Sequence, residues 1–227
     1  TDNNTNDSTP MFTGTAEPSV LVTLYKDGTD VGTATSNGVG SYTVTSSPLT
    51  DGVYAFTVKQ TDLAGNLSAA SPSLSVTIDT VAPGAPLATD LVSSSDTGAS
   101  NSDNITNATA PTFNGSVEAN ATVNLYKDAA LVGTTTANGV GAYTVVSPTL
   151  ADGAYVFTVK QADLAGNLSA ASTGLPVTID TALPSTPGAP DLDPASDTGV
   201  LTTDNITSAT APIFKGTVEA GATVNNY

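Results

Sequence analysis

Cysteine, histidine, tryptophan and arginine are all missing from this 227-residue chain, and each absence closes off a chemistry. Without cysteine there are no disulfides and no thiolate metal sites. Without histidine there are no imidazole ligands, and Ser–His–Asp or Cys–His nucleophiles cannot be assembled. Positive charge is scarce: five lysines face 21 acids, for a net charge of −16. Such a field repels nucleic acid and anionic membrane and draws in cations. The metal chemistry left open is that of hard cations with oxygen ligands. No apolar run approaches the roughly 18 residues of a membrane-spanning helix, so membrane insertion is not expected. No charged-plus-apolar leader opens the chain, which begins and ends mid-pattern as an excerpt would.

The 39% hydrophobic content is modest, but it is patterned, as disorder does not require. Phe12, Phe113 and Phe214, in "PMFTG", "PTFNG" and "PIFKG", are spaced by 101 residues. Asp2, Asp103 and Asp204 keep that interval, and "DLAGNLSAAS" at 62–71 recurs letter for letter at 163–172. A period this long marks a tandem array of whole domains rather than a solenoid. The expected divisions are 1–80, a repeat lacking its first strand; 81–181, a complete repeat; and 182–227, the start of a third.

Within a repeat the apolar period is two. In "AYVFTVKQ", Tyr155, Phe157 and Val159 face one way, and Val156, Thr158 and Lys160 the other. Leu175, Val177 and Ile179 alternate in the same manner. This is the signature of half-buried antiparallel strands. Asn37-Gly38, Asn138-Gly139, Asp51-Gly52 and Asp152-Gly153 punctuate them as turns. The complete repeat is read as strands near 86–92, 111–117, 121–127, 130–136, 141–147, 154–162 and 172–179. The fold class is therefore all-β: tandem immunoglobulin-like sandwiches of about seven strands per repeat. Phe113, Tyr155 and Phe157 are expected to supply the core bulk that a cysteine pair and tryptophan would otherwise give.

The series "TDLAGNLSAAS", "VTIDTVAPGAP", "SDTGASNSDNITNATAPTFNGSVEANATVNLYKD" and "LADGAYVFTVKQ" resembles the bacterial immunoglobulin-like extender repeats of giant surface adhesins, of the biofilm-associated and RTX types. The resemblance covers essentially the whole chain. It implies secretion, display on the bacterial cell surface and calcium at domain junctions. Neighbouring repeats of the same chain are then the immediate partners, with any host or surface ligand bound elsewhere in the full protein.

The acids fall where that implication needs them. Loops of such a sandwich sort to two ends, so stacking repeats brings one domain's far end to the next domain's near end. At the first junction Asp2, Asp51, Asp79 and Asp163 are expected to meet. At the second the expected set is Asp96, Asp103, Asp152 and Asp180. Asp62, Asp197 and Asp204 hold equivalent positions in the outer repeats. Carboxylates converging without lysine repel unless a cation sits among them, and Ca2+ suits six to eight oxygens in flexible geometry. Each Asp taken alone also reads as an ordinary turn or capping residue, Asp51 and Asp152 most of all.

Catalysis finds no support. Glu17, Glu118 and Glu219, the only glutamates, occupy one position copied in every repeat, as catalytic acids seldom are. Two adhesive readings remain, a structural extender and a glycan- or protein-binding module. The second would call for an aromatic surface cluster in one repeat that the others lack.

Overall fold

The period-two segments become strands at nearly the expected positions. The computed structural model describes residues 2–225. Strands β1 (Asn4–Thr5), β2 (Met11–Thr15), β3 (Leu21–Lys26), β4 (Thr29–Thr35), β5 (Ser41–Thr45), β6 (Gly52–Thr61) and β7 (Leu74–Ile78) build the first repeat. Strands β8 (Asp90–Leu91), β9 (Ile105–Thr106), β10 (Thr112–Ser116), β11 (Thr122–Lys127), β12 (Ala130–Thr136), β13 (Ala142–Val146), β14 (Gly153–Ala162) and β15 (Leu175–Ile179) build the second. Residues up to 180 form one unit, and those from 181 onward form another.

In the second repeat one sheet runs β12-β11-β14-β15-β9, and the facing sheet runs β13-β10-β8. The first repeat has the same layout, β4-β3-β6-β7-β1 against β5-β2. Both β1 and β9 pair in parallel with the last strand of their repeat, Ile105 and Thr106 lying opposite Thr178 and Ile179. The sequence reading took 93–110 as a loop, and the structure corrects it. A two-residue strand is too short to show alternation, yet it carries the chain from one sheet to the other.

The core forms where the inward faces meet. Phe113 and Phe157 are fully buried with ring centroids 4.4 Å apart, tilted by 40°. Leu125, Val123, Val159, Val177 and Ile179 pack around them. Tyr155 is half-buried and packs against the rim of this cluster. Its hydroxyl donates to the Ala151 carbonyl at 3.0 Å and ties the strand to the preceding turn. The third core aromatic is Tyr143, whose hydroxyl burial pushes its pKa up.

The "YKD" segments close into turns. Asp27 and Asp128 have positive φ, and Asp128 Oδ1 accepts the Val156 amide at 3.0 Å. That amide, with Lys127 beside it, holds the Asp128 carboxyl below the usual range. Each lysine of these two repeats lies over a tyrosine ring, as Lys127 does over Tyr155 at 4.5 Å.

Beyond residue 180 the described strands are β16 (Asp191–Leu192) and β17 (Phe214–Lys215), paired antiparallel. Phe214, the third member of the Phe12 series, is more than half exposed. So little burial cannot offset the entropy of ordering the chain. The expected start of a third repeat ends at Tyr227, outside the described residues. Amide exchange is expected to show strong protection up to about residue 180 and little beyond. Uniform protection through β17 would contradict the repeat frame.

Candidate cation site and repeat junction

After β8 the chain makes a tight turn, with the Ser95 and Asp96 amides both donating to the Val92 carbonyl, at 2.7 and 3.2 Å. This drives Asp96 inward until it is 4% exposed. Asn104 arrives from the far side of the loop in the left-handed region, φ 61°, and its amide donates to Asp96 Oδ2 at 3.2 Å. Thr97 fastens the loop to the start of the next strand, its hydroxyl 3.0 Å from that of Thr106 and donating to Asn107 Oδ1 at 2.7 Å. Gly98 is needed because a Cβ there would stand 2.9 Å from the Ile105 carbonyl oxygen.

Two buried oxygens in this cradle have no hydrogen-bond partner, Asp96 Oδ1 and Asn104 Oδ1. An unmatched buried carboxylate oxygen is costly, and both atoms are acceptors, so neither can satisfy the other. The ion pairs found among the described residues, Lys26–Asp27, Lys127–Asp128 and Lys215–Asp193, leave Asp96 without one. The arrangement recurs 101 residues on. Asp197 is 2% exposed, accepts the Asn205 amide at 3.3 Å through Oδ2, and has an unpartnered Oδ1. The chemistry fits a hard cation: acceptor oxygens, buried negative charge and no competing ammonium.

Several of the other sequence-flagged acids cap nearby backbone amides. Asp103 Oδ1 accepts the Ile105 amide and Asp204 Oδ1 the Ile206 amide, each at 3.1 Å. Asp2 Oδ1 accepts from the Asn4 amide at 3.3 Å. Asp51 Oδ1 accepts both the amide and the hydroxyl of Thr80, at 3.0 and 2.9 Å. Asp62 is ringed by the Asn66 side chain and the Asn66 and Ala64 amides, with Asn66 chiefly holding its carboxyl below the usual range. The Asp180 amide donates to the Thr106 carbonyl at 2.9 Å. Among the described residues, no three acidic side chains gather into a metal-sized cluster. The expected convergence of Asp2, Asp51, Asp79 and Asp163 is therefore not what the geometry shows. Turn capping takes up Asp2, Asp62, Asp103 and Asp204 locally, and Asp51 caps Thr80 across the sheet end.

What does bridge the first junction is an amide. Asn167, 9% exposed, is gripped by Asp163 through its backbone N at 2.9 Å and its Nδ2 at 2.8 Å. The same Nδ2 donates to the Asp79 carbonyl at 2.7 Å, across the boundary between repeats. Gln161 adds a second strap: Oε1 accepts the Glu118 amide at 2.7 Å, and Nε2 donates to the Gly84 carbonyl at 2.8 Å. Asp79 and Asp163 thus do come together, through Asn167 and a carbonyl. Sequence reasoning missed Asn104, Gln161 and Asn167. The signal was there for the last, since the duplicated ten residues carry the asparagine along with the acid.

A family model described as "Bacterial Ig-like domain" matches residues 1–80 and 84–181. The chain belongs to this family. Of curated proteins, bacterial Ig-like repeats here are 35% identical to exoglucanase B of Cellulomonas fimi, over 88% of this chain and 19% of that protein. They are 42% identical to chitinase A1 of Niallia circulans, over 70% of this chain and 22% of that protein. The chain thus spans about a fifth of the length of these relatives. Among solved structures, a Ca2+-stabilised adhesin that helps an Antarctic bacterium reach out and bind ice is 22% identical. That alignment covers 82% of this chain and 47% of the adhesin, with a TM-score of 0.35.

Proposed function

We propose that these bacterial Ig-like repeats are a structural extender on the outside of a bacterial cell, part of a surface adhesin supporting adhesion or biofilm formation, and stiffened by calcium. The observation that carries the reading is the Asn167 strap across the first junction, backed by the Gln161 strap that holds the start of the second repeat's own segment. Asn167 and Gln161 of one repeat hold the Asp79 and Gly84 carbonyls of the incoming linker. A binding module has no need to fix the angle to its neighbour, whereas a spacer does. Pro83 and Pro86 add stiffness to the same linker.

Calcium would be held by Asp96 and Asn104, where it would neutralise buried carboxylate charge and lock the loop before β9, and Asp197 would offer the equivalent carboxylate 101 residues on. Asp103 and Asp180 lie on the adjoining stretches of chain. The repeats themselves are read as non-catalytic.

A second reading has its own support in the enzyme relatives: the same repeats as spacers inside a secreted polysaccharide hydrolase. Both give the repeats one mechanical task. Substituting Asn167→Ala together with Gln161→Ala is expected to broaden the intraparticle pair-distance distribution in small-angle scattering while leaving the far-ultraviolet spectrum unchanged. Identical scattering from variant and parent would mean the straps do not set the junction, and the extender reading would lose its support.

A further inference from the structure

The chain contains three Asn-Gly pairs, Asn37-Gly38, Asn114-Gly115 and Asn138-Gly139, and the fold treats them in two ways. Asn37 and Asn138 open the turns that carry the chain from one sheet to the other, β4 to β5 and β12 to β13. Both asparagines and the glycines after them are exposed. Asn37 Oδ1 accepts two amides, from Val39 at 3.0 Å and from Ser41 at 2.9 Å. Asn138 Oδ1 accepts the Val140 and Ala142 amides, each at 3.0 Å. The ring closed by the first of these bonds contains both the side-chain carbonyl carbon and the glycine nitrogen, and keeps the one beside the other. Neither glycine amide nor either asparagine Nδ2 has a hydrogen-bond partner among the described residues. A Cβ on Gly38 or Gly139 would meet no atom within 4 Å, so nothing crowds the glycine.

Asn114-Gly115 is the same dipeptide with an equally exposed asparagine, but it lies inside β10. Asn114 faces Asp90 on one side and Thr144 on the other, and the Tyr143 ring lies across Gly115. That backbone cannot fold onto its own side chain without breaking both ladders.

We propose that Asn37 and Asn138 are self-modifying sites, converting to aspartate and isoaspartate through a cyclic imide with water as the co-reactant. The Gly38 nitrogen gives its proton to water and attacks Asn37 Cγ, and the carbonyl electron pair moves onto Oδ1. The Val39 and Ser41 amides already point at that oxygen, where the negative charge develops. When the pair returns, the bond to Nδ2 breaks, and the nitrogen takes a proton from water and leaves as ammonia. Water then opens the imide at either carbonyl. Opening at Cγ gives aspartate, whose carboxylate can keep both turn bonds. Opening at the main-chain carbonyl gives isoaspartate, and the oxygen that accepted the Gly40 amide at 2.9 Å becomes part of a free carboxylate. The chain then runs through Cβ, which lengthens the link between the sheets. Asn138 and Gly139 repeat the chemistry in the second repeat.

The lysines place the three asparagines in separate peptides after cleavage, 27–59, 60–127 and 128–160. The whole chain is held at mildly alkaline pH, cleaved at lysine and followed by mass spectrometry for the exchange of amide for acid. Asn37 and Asn138 are expected to convert at matching rates, while Asn114 lags by about a hundredfold because its strand forbids the approach. In denaturant the lag is expected to vanish. Gly38→Ala with Gly139→Ala is expected to lose most of the conversion at both turns with the melting temperature unchanged, since the added methyl meets no neighbour but hinders the nitrogen. The proposal is overturned if Asn114 keeps pace with the turn asparagines in the folded chain. It is equally overturned if Asn37 and Asn138 convert more slowly folded than in denaturant, because the turns would then protect them.

Discussion

Phe157→Ala is expected to destabilise the second repeat by about 3–5 kcal/mol, the range for emptying a large aromatic site in a packed core. The residue is fully buried, and its ring lies against Phe113, itself fully buried. Truncation removes transfer energy and leaves a cavity lined by β10, β11 and β15, whose backbones are held by ladders on both sides and cannot collapse inward. The neighbour Val156 is 48% exposed on the other face of the same strand. Val156→Ala should therefore cost well under 1 kcal/mol. Denaturant midpoints for the two variants, with slopes compared to confirm that only stability moved, give the answer. Equal costs would place the core on the opposite face of β14.

That contrast was legible because alternation survives in strands of five residues or more. Val123 and Leu125, Val177 and Ile179, Phe157 and Val159 all face inward as their spacing dictates. Tyr155 shows where spacing stops being enough. It belongs to the inward set by parity and packs against the core, but it stays half-buried and donates its hydroxyl to the Ala151 carbonyl. Parity gives the face of a sheet but not the depth along the strand. Tyr143, which the sequence reading did not single out, is the buried aromatic beside Phe113 and Phe157.

The candidate site was half legible for a similar reason. Composition left only an oxygen-ligated cation open, and Asp96 and Asp197 were among the acids picked out for it. The grouping was drawn from loop ends alone, which ignores where each side chain turns. A short acid in a loop has backbone amides two to four residues away, and Asp2, Asp62, Asp103 and Asp163 are all taken by such partners. Asp96 differs because the turn after β8 buries it and leaves one oxygen unmatched. Burial of that kind depends on β9 crossing to the other sheet, and a two-residue strand leaves no trace in hydropathy.

Calcium should therefore act first on the loop that contains Asp96 and only through it on the junction. With affinities in the extracellular range of roughly 0.1–1 mM, 10 mM calcium would stabilise each site by about 1.4–2.7 kcal/mol through mass action. Without the ion, the Asp96 carboxylate stays buried with Oδ1 unsatisfied, so chelator is expected to lower the melting temperature of the second repeat. Asp96→Ala should remove this calcium response. Asp2→Ala, which alters an exposed cap in the first repeat, should leave it intact. Asp163→Ala separates the two roles: Asn167 loses the carboxylate that orients it, so the junction loosens while the melting response to calcium persists. Calorimetric scans of the parent and the three variants in chelator and in calcium, with scattering on Asp163→Ala, cover the set. A parent chain that melts at the same temperature in both conditions would sink the cation assignment at Asp96. The stiffness of the array would then rest on the Asn167 and Gln161 straps and the linker prolines alone.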